Sequence, residues 1–136
     1  MRKIYFILSL ILFTSFASQA QNDEKIRDKM TEFIQKRMKL TRNEAERFTP
    51  VFVRYFGEWR QTLKENKDDV LFRQQRIAEL RIRYRGEFRD IVGDKRSTDV
   101  FRQQEVFIVQ LQKMREEQMR INRDDRTNKR FRSMKE

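Results

Sequence analysis

From residue 22 onward, apolar residues recur at spacings of three and four and are broken by few turn signals. Ile26, Met30, Phe33, Ile34 and Met38 mark one stripe, which predicts a helix from Asn22 to Lys39. A second helix is predicted from Arg42 to about Glu65, with Ala45, Phe48, Val51, Phe52, Tyr55, Phe56, Trp59 and Leu63 on a wide aromatic face. Pro50 lies inside it and removes the hydrogen bond to the carbonyl of Glu46, which predicts a bend. Asn66-Lys67-Asp68-Asp69 reads as a turn with an acidic start to a third helix. That helix shows Val70, Ile77, Tyr84 and Ile91 at intervals of seven with Leu80 and Phe88 between, ends near Val92, and is followed by Gly93. Ser97-Thr98-Asp99 offers caps for a last helix carrying Val100, Phe107, Met114 and Ile121, again at sevens. Residues 122–136 have almost no apolar periodicity and read as a charged, disordered tail.

Leu40-Thr41-Arg42-Asn43-Glu44 holds the strongest local signal. Thr41 is placed to accept from the amide of Glu44, and the Glu44 carboxylate to accept from the amide of Thr41, which together make a capping box. Leu40 and Ala45 stand in the flanking apolar positions. Two i,i+4 acid–base pairs, Glu32 with Lys36 and Glu79 with Arg83, are in the favourable order for helix faces. No strand pattern, tandem repeat or Gly-rich phosphate loop is present. With only three glycines and one proline, long helices joined by short loops are the natural architecture. The predicted fold class is all-α, about four helices folded as long hairpins, with a domain over residues 21–121. A thin bundle of this size cannot cover its whole aromatic stripe, so a homodimer is expected.

The first twenty residues are of another kind. Arg2 and Lys3 precede an apolar run from Ile4 to Phe16, and Ala17-Ser18-Gln19-Ala20 closes it with small residues at Ser18 and Ala20. This is the three-part pattern of a secretory signal peptide over residues 1–20, cleaved before Gln21. The run is shorter than the roughly 20 residues of a permanent span, so no stable membrane insertion is expected after cleavage.

Composition narrows the chemistry. Cysteine and histidine are both absent, which excludes a lipid anchor on cysteine, disulfides, nucleophile–histidine catalysis and an imidazole or thiolate metal site. The acidic pairs Asp68-Asp69, Glu116-Glu117 and Asp124-Asp125 point about 100° apart on a helix and do not converge on one proton. No catalysis, cofactor or metal is expected. The net charge of +11 falls to +9 once Arg2 and Lys3 leave with the signal, which favours acidic partners. Basic helices and an Arg-rich tail also suit nucleic acid, but export argues against that partner.

Leu40-Thr41-Arg42-Asn43-Glu44 resembles the Leu-Thr-x-x-Gln element of the Spy/CpxP family of periplasmic proteins, with Glu in place of Gln. The stretch Glu44 to Tyr55 looks like the branch labelled sensors associated with extracytoplasmic-function sigma factors, and in pattern the likeness runs from about Asp28 to Met119. A second copy of the element is missing before the last helix, where Ile91-Val92-Gly93-Asp94-Lys95-Arg96-Ser97 stands. The histidines and cysteines of the zinc-linked relatives have no counterpart. The resemblance implies a curved antiparallel helical dimer in the periplasm whose inner surface holds unfolded envelope proteins without ATP. An alternative is a regulator that binds a membrane stress-signalling protein.

Apolar stripes at helical spacing ordinarily pack inward, and Phe56 and Trp59 widen this one beyond what a single partner helix covers. The client or partner surface is accordingly assigned to Phe52, Phe56 and Trp59 with Arg60, Arg73 and Arg76, drawn from a crowd of arginines that also includes Arg54, Arg81, Arg83, Arg85 and Arg89. Guanidinium groups beside aromatics can hold flexible chains through many weak contacts. One expectation is checked directly. Intact mass and N-terminal sequencing of the chain expressed in a Gram-negative host should find a product beginning at Gln21. A chain retaining Met1 to Ala20 would overturn the reading of the leader.

Overall fold

A computed structural model describes the backbone from Arg2 to Met134 and side chains from Ala20 to Met134; of the expected signal segment, residues 1–20, the side chains of residues 1–19 lie outside the described residues. The chain forms α1 (Arg2–Arg37), α2 (Arg42–Glu65), α3 (Val70–Val92), a single turn α4 (Asp94–Ser97) and α5 (Asp99–Ser133). The chain is all-α, and no strand occurs among the described residues. Among them, too, no helix is long and apolar enough to cross a membrane.

The turns form largely where local chemistry places them. Glu44 N donates to Thr41 Oγ1 at 3.2 Å and Thr41 N to Glu44 Oε1 at 3.1 Å, so the capping box is complete. Just before it, α1 closes in a Schellman turn: Leu40 N donates to Gln35 O at 3.1 Å and Lys39 N to Lys36 O at 3.2 Å. Lys39 holds the left-handed position of that turn, φ 53°, where glycine is usual. Asp69 caps α3 by accepting from Phe72 N at 2.9 Å. Gly93 follows α3 at φ 85° and ψ 164°, a conformation open essentially to glycine alone.

Two expectations of local structure are corrected. Ser97 and Thr98 do not cap the last helix. The Ser97 hydroxyl donates to Asp94 O, Thr98 is itself helical, and α4 therefore runs almost directly into α5. The tail also differs: residues 122–133 continue α5, and the structure draws no break after Ile121. The stretch is rich in Arg, Lys and Asn with no Pro or Gly, and side-chain bonds such as Gln118 to Asn122, 3.1 Å, span its start. Pro50 sits on the exposed side of an unbroken α2, where water can serve the carbonyl it frees.

α2 and α3 form an antiparallel hairpin, and α1 packs antiparallel to both α2 and α5. Gln35 Nε2 donates to Thr49 Oγ1 at 2.8 Å, and the Arg60–Asp23 ion pair of 2.6 Å ties the other end of α2 to α1. Phe33 meets Phe107 edge-on at 5.4 Å between ring centroids, joining α1 to α5. The core is Met30 and Ile34 from α1, Phe48, Phe52, Tyr55 and Phe56 from α2, Leu80, Tyr84 and Phe88 from α3, and Val100 and Phe101 from α5. On α3 the buried row is thus Leu80, Tyr84, Phe88 and Val92. Of the expected seven-residue series only Tyr84 belongs to it, and Val70 is exposed because the first turns of α3 overhang the bundle. On α5 the series starts inside, with Val100 buried and Phe107 half-buried, and runs out of partners by Met114 and Ile121.

Lys39 offers a direct test. A left-handed L-residue costs roughly 1–2 kcal/mol, part of which returns as unfolded-state entropy when glycine replaces it. Lys39→Gly should therefore stabilise the fold by about 0.5–1 kcal/mol, raising the thermal midpoint by a few degrees. A midpoint that falls in a thermal melt would overturn the role given to the Schellman turn.

Candidate binding surface

The six residues assigned to a client surface do not come together. Phe52 is fully buried and Phe56 is only 4% exposed, so both are core residues, and that part of the assignment is corrected. The reason is coverage: α1 and α3 flank α2 and shelter more of its aromatic face than one partner helix would. Trp59 is half-buried, with its ring 5.6 Å from that of Phe56. Arg60 is spent on Asp23. Arg73 donates to Lys67 O at 2.9 Å and closes the α2–α3 turn. Arg76 pairs with Glu79 at 3.2 Å and lies over Phe72, 4.8 Å from the ring centre. Leu40, Thr41 and Glu44 serve the helix start as read, and Glu44 Oε2 also accepts from Arg96 at 3.0 Å. The cap of α2 is thereby tied to the α3–α5 connection.

Most of the crowded arginines on the two hairpin helices are held by carboxylates of other elements. Arg54 meets Glu87 at 2.6 Å, Arg83 meets Glu58 at 2.5 Å, and Arg89 meets Asp94 at 2.8 Å. Arg83 therefore does not join Glu79 along its own helix; Glu58 across the hairpin wins it, already fixed by a 2.6 Å hydrogen bond from the Tyr84 hydroxyl. That bond, followed by Arg83, holds the Glu58 carboxyl below its usual range. Burial, and then the same bond, push the Tyr84 phenol up to about 12. Arg81 bonds to Glu105, to the Tyr55 hydroxyl at 3.3 Å and to Gln104 Oε1 at 3.2 Å, while Tyr55 donates to Gln104 Oε1 at 2.6 Å. This polar inlay sits inside the aromatic core, and burial raises the Tyr55 pKa as well. Among the described residues Arg85 is the member of the crowd with neither a carboxylate nor a backbone carbonyl as partner.

Arg85 lines a groove of about 590 Å³ between α2, α3 and α5. Its walls are mostly apolar: Trp59 and Leu63 of α2, Ile77 and Ile82 of α3, Phe101 and Ile108 of α5. Ile82 is 62% exposed. A second hollow, about 690 Å³, opens beside the α2–α3 turn, but its lining mixes Glu58, Glu65 and Glu79 with Arg76 and Arg83. Among the described residues no three acidic side chains gather as metal ligands would. Of the residues assigned in advance, then, the apolar groove contains Trp59. Ile77, Ile82, Phe101 and Arg85 were missed as site residues. Ile82 carries a weak signal, being an apolar residue off the buried row of α3.

Comparison with protein-family models, with curated proteins and with solved structures finds no match. What the surface does is therefore argued from its side chains.

The Tyr84–Glu58–Arg83 cluster generates a pH prediction. A phenol raised to about 12 contributes stability below its unfolded value near 10, and loses that contribution as pH climbs from about 10 to 12. Glu58 is the mirror case: its contribution is present above the ordinary carboxylate range and is lost as pH falls through its lowered value. Urea midpoints measured across pH 9–12 should fall in the native chain and fall less steeply in Tyr84→Phe, at a cost near neutrality of about 1 kcal/mol. Equal slopes would show that the Tyr84 hydroxyl is not bound as described.

Proposed function

We propose that the chain is an exported, ATP-independent, chaperone-like protein of the periplasm that binds unfolded envelope proteins through a basic and aromatic helical surface. The observation that carries this reading is the open apolar groove in which Trp59 and exposed Ile82 lie beside Arg81 and Arg85. Apolar surface of this kind gives an unfolded segment a place to shelter large side chains, and nearby cations attract acidic ones at modest strength. The signal-like leader and the resemblance of Leu40–Tyr55 to Spy/CpxP proteins support the same reading. No catalytic group, metal or cofactor enters it. In this reading two copies associate as a curved antiparallel homodimer, for which exposed Val109, Met114 and Ile121 of α5 supply apolar area.

A second reading, a regulator of an envelope-stress response that binds a membrane signalling protein, is favoured by one feature. Beyond Leu111, α5 leaves the packed body with every described residue exposed, and it offers Met114, Met119 and Ile121 to a partner.

Aggregation assays separate the two. Stoichiometric protein should suppress light scattering by an unrelated unfolding protein at low salt, less so at high salt. Trp59→Ala and Ile82→Asp should each remove more than half of that protection while far-UV circular dichroism is unchanged. No protection by the native chain at low salt would sink the chaperone reading. An accompanying change in stress-response transcripts on deletion would then favour the regulator.

A further inference from the structure

We propose that the groove between α2, α3 and α5 binds a single-chain anionic amphiphile, a free fatty-acid-like carboxylate, with Arg85 holding its head group. This goes beyond the chaperone reading and does not require it.

Size and lining are the first argument. A volume of about 590 Å³ falls in the range of small-molecule sites, which are concave, mostly apolar and carry a few placed polar groups. From Gln74 to Arg85, the first and last groove residues on α3, the wall extends about 16 Å at 1.5 Å per residue. Cross-helix contacts set the order along it. Arg81 bonds to Glu105 and the Phe88 ring lies 5.8 Å from Phe101, so α3 and α5 run antiparallel and Arg85 falls at the Thr98 end. The Arg54–Glu87 and Arg83–Glu58 pairs place Trp59 level with Ile82, next along the groove, and Leu63 level with Ile77 farther on.

Charge is the second argument. Arg85 is half-buried at one end of an apolar trough, where a charge-assisted bond to an anion is stronger than in open water. Its neighbour one turn back, Arg81, has Glu105, Tyr55 and Gln104. Arg85 has no carboxylate among the described residues. Thr98 lines the same end, and its hydroxyl makes no cap bond to α5, which leaves a second donor for a head group.

An unbranched acyl chain also suits the floor of the trough. Between Gln74 at one end and Arg85 and Thr98 at the other, the polar groups of the lining are Arg81 and Glu105, which satisfy each other. A polypeptide segment can set apolar side chains on that floor with its backbone facing the open, watered side, whereas a polymethylene chain lies along the floor with no polar group of its own to match.

Trp59 is the chain's one tryptophan, so its emission reports the groove directly. The test titrates the full chain with dodecanoate below its micelle concentration, with dodecanol as the uncharged control. Dodecanoate should give a saturable one-to-one change and bind more tightly than dodecanol. Arg85→Gln should weaken dodecanoate by about tenfold or more, the loss of one charge-assisted bond. It should leave dodecanol unchanged, and Arg85→Lys should recover most of the difference. Circular dichroism of both variants checks that the fold is kept. No saturable response in the native chain, or equal dodecanoate affinity in the native chain and Arg85→Gln, would overturn the proposal. So would saturation by an acidic apolar peptide where dodecanoate has no effect.

Discussion

Packing of Phe88 against the rings of α2 and α5 is the contact on which the rest of the fold depends. Its ring lies 5.3 Å from Phe48, 6.2 Å from Tyr55 and 5.8 Å from Phe101, so one side chain of α3 touches both neighbouring helices. Tyr55 repeats the pattern from α2, meeting Tyr84 and Phe101 edge-on at 5.4 Å each. Edge-on and tilted aromatic pairs contribute about 0.5–1.5 kcal/mol each beyond the area they bury. In a chain without disulfides or a metal ligand of the imidazole or thiolate kind, this cluster carries the hairpin–α5 junction.

The cluster also explains where polarity is tolerated. Gln104 is fully buried with its carbonyl oxygen accepting from the Tyr55 hydroxyl and Arg81, while its amide nitrogen has no partner among the described residues. That inlay holds Arg81 at the groove wall already neutralised by Glu105, so the groove's free positive charge is concentrated at Arg85. Arrangement rather than composition thus turns a generally basic surface into one apolar trough with a single cationic end.

A chain with a large excess of arginine would be expected to present it broadly to acidic partners. Folding redirects much of it. Arg54, Arg60, Arg83 and Arg89 each close a contact between elements or across a turn. Such exposed pairs contribute little individually, yet they set the register of the hairpin and reduce the number of cations available for binding.

Local rules were enough for the turns inside the bundle. The Thr41–Glu44 box, the Asp69 cap and Gly93 involve residues three or four apart, so their chemistry is complete within one turn of chain. The same rules put side-chain caps at Ser97 and Thr98, where the helical backbone of Thr98 leaves no cap bond, and they stopped α5 at Ile121, where apolar periodicity ends but helix-forming side chains continue. Partners across the bundle were illegible. Arg83 has Glu79 one turn away along the helix and chooses Glu58, since Tyr84 has already positioned that carboxylate. Phe52, Phe56 and Trp59 share one stripe in sequence, and only the placement of α1, α3 and α5 around α2 decides that the first two are core and the third reaches a groove. Sequence alone dictated an all-helical chain and the turns at Thr41, Asp69 and Gly93, because those interactions are local. Tertiary structure alone decided which aromatics and cations remain free to bind, because that depends on what distant parts of the chain leave uncovered.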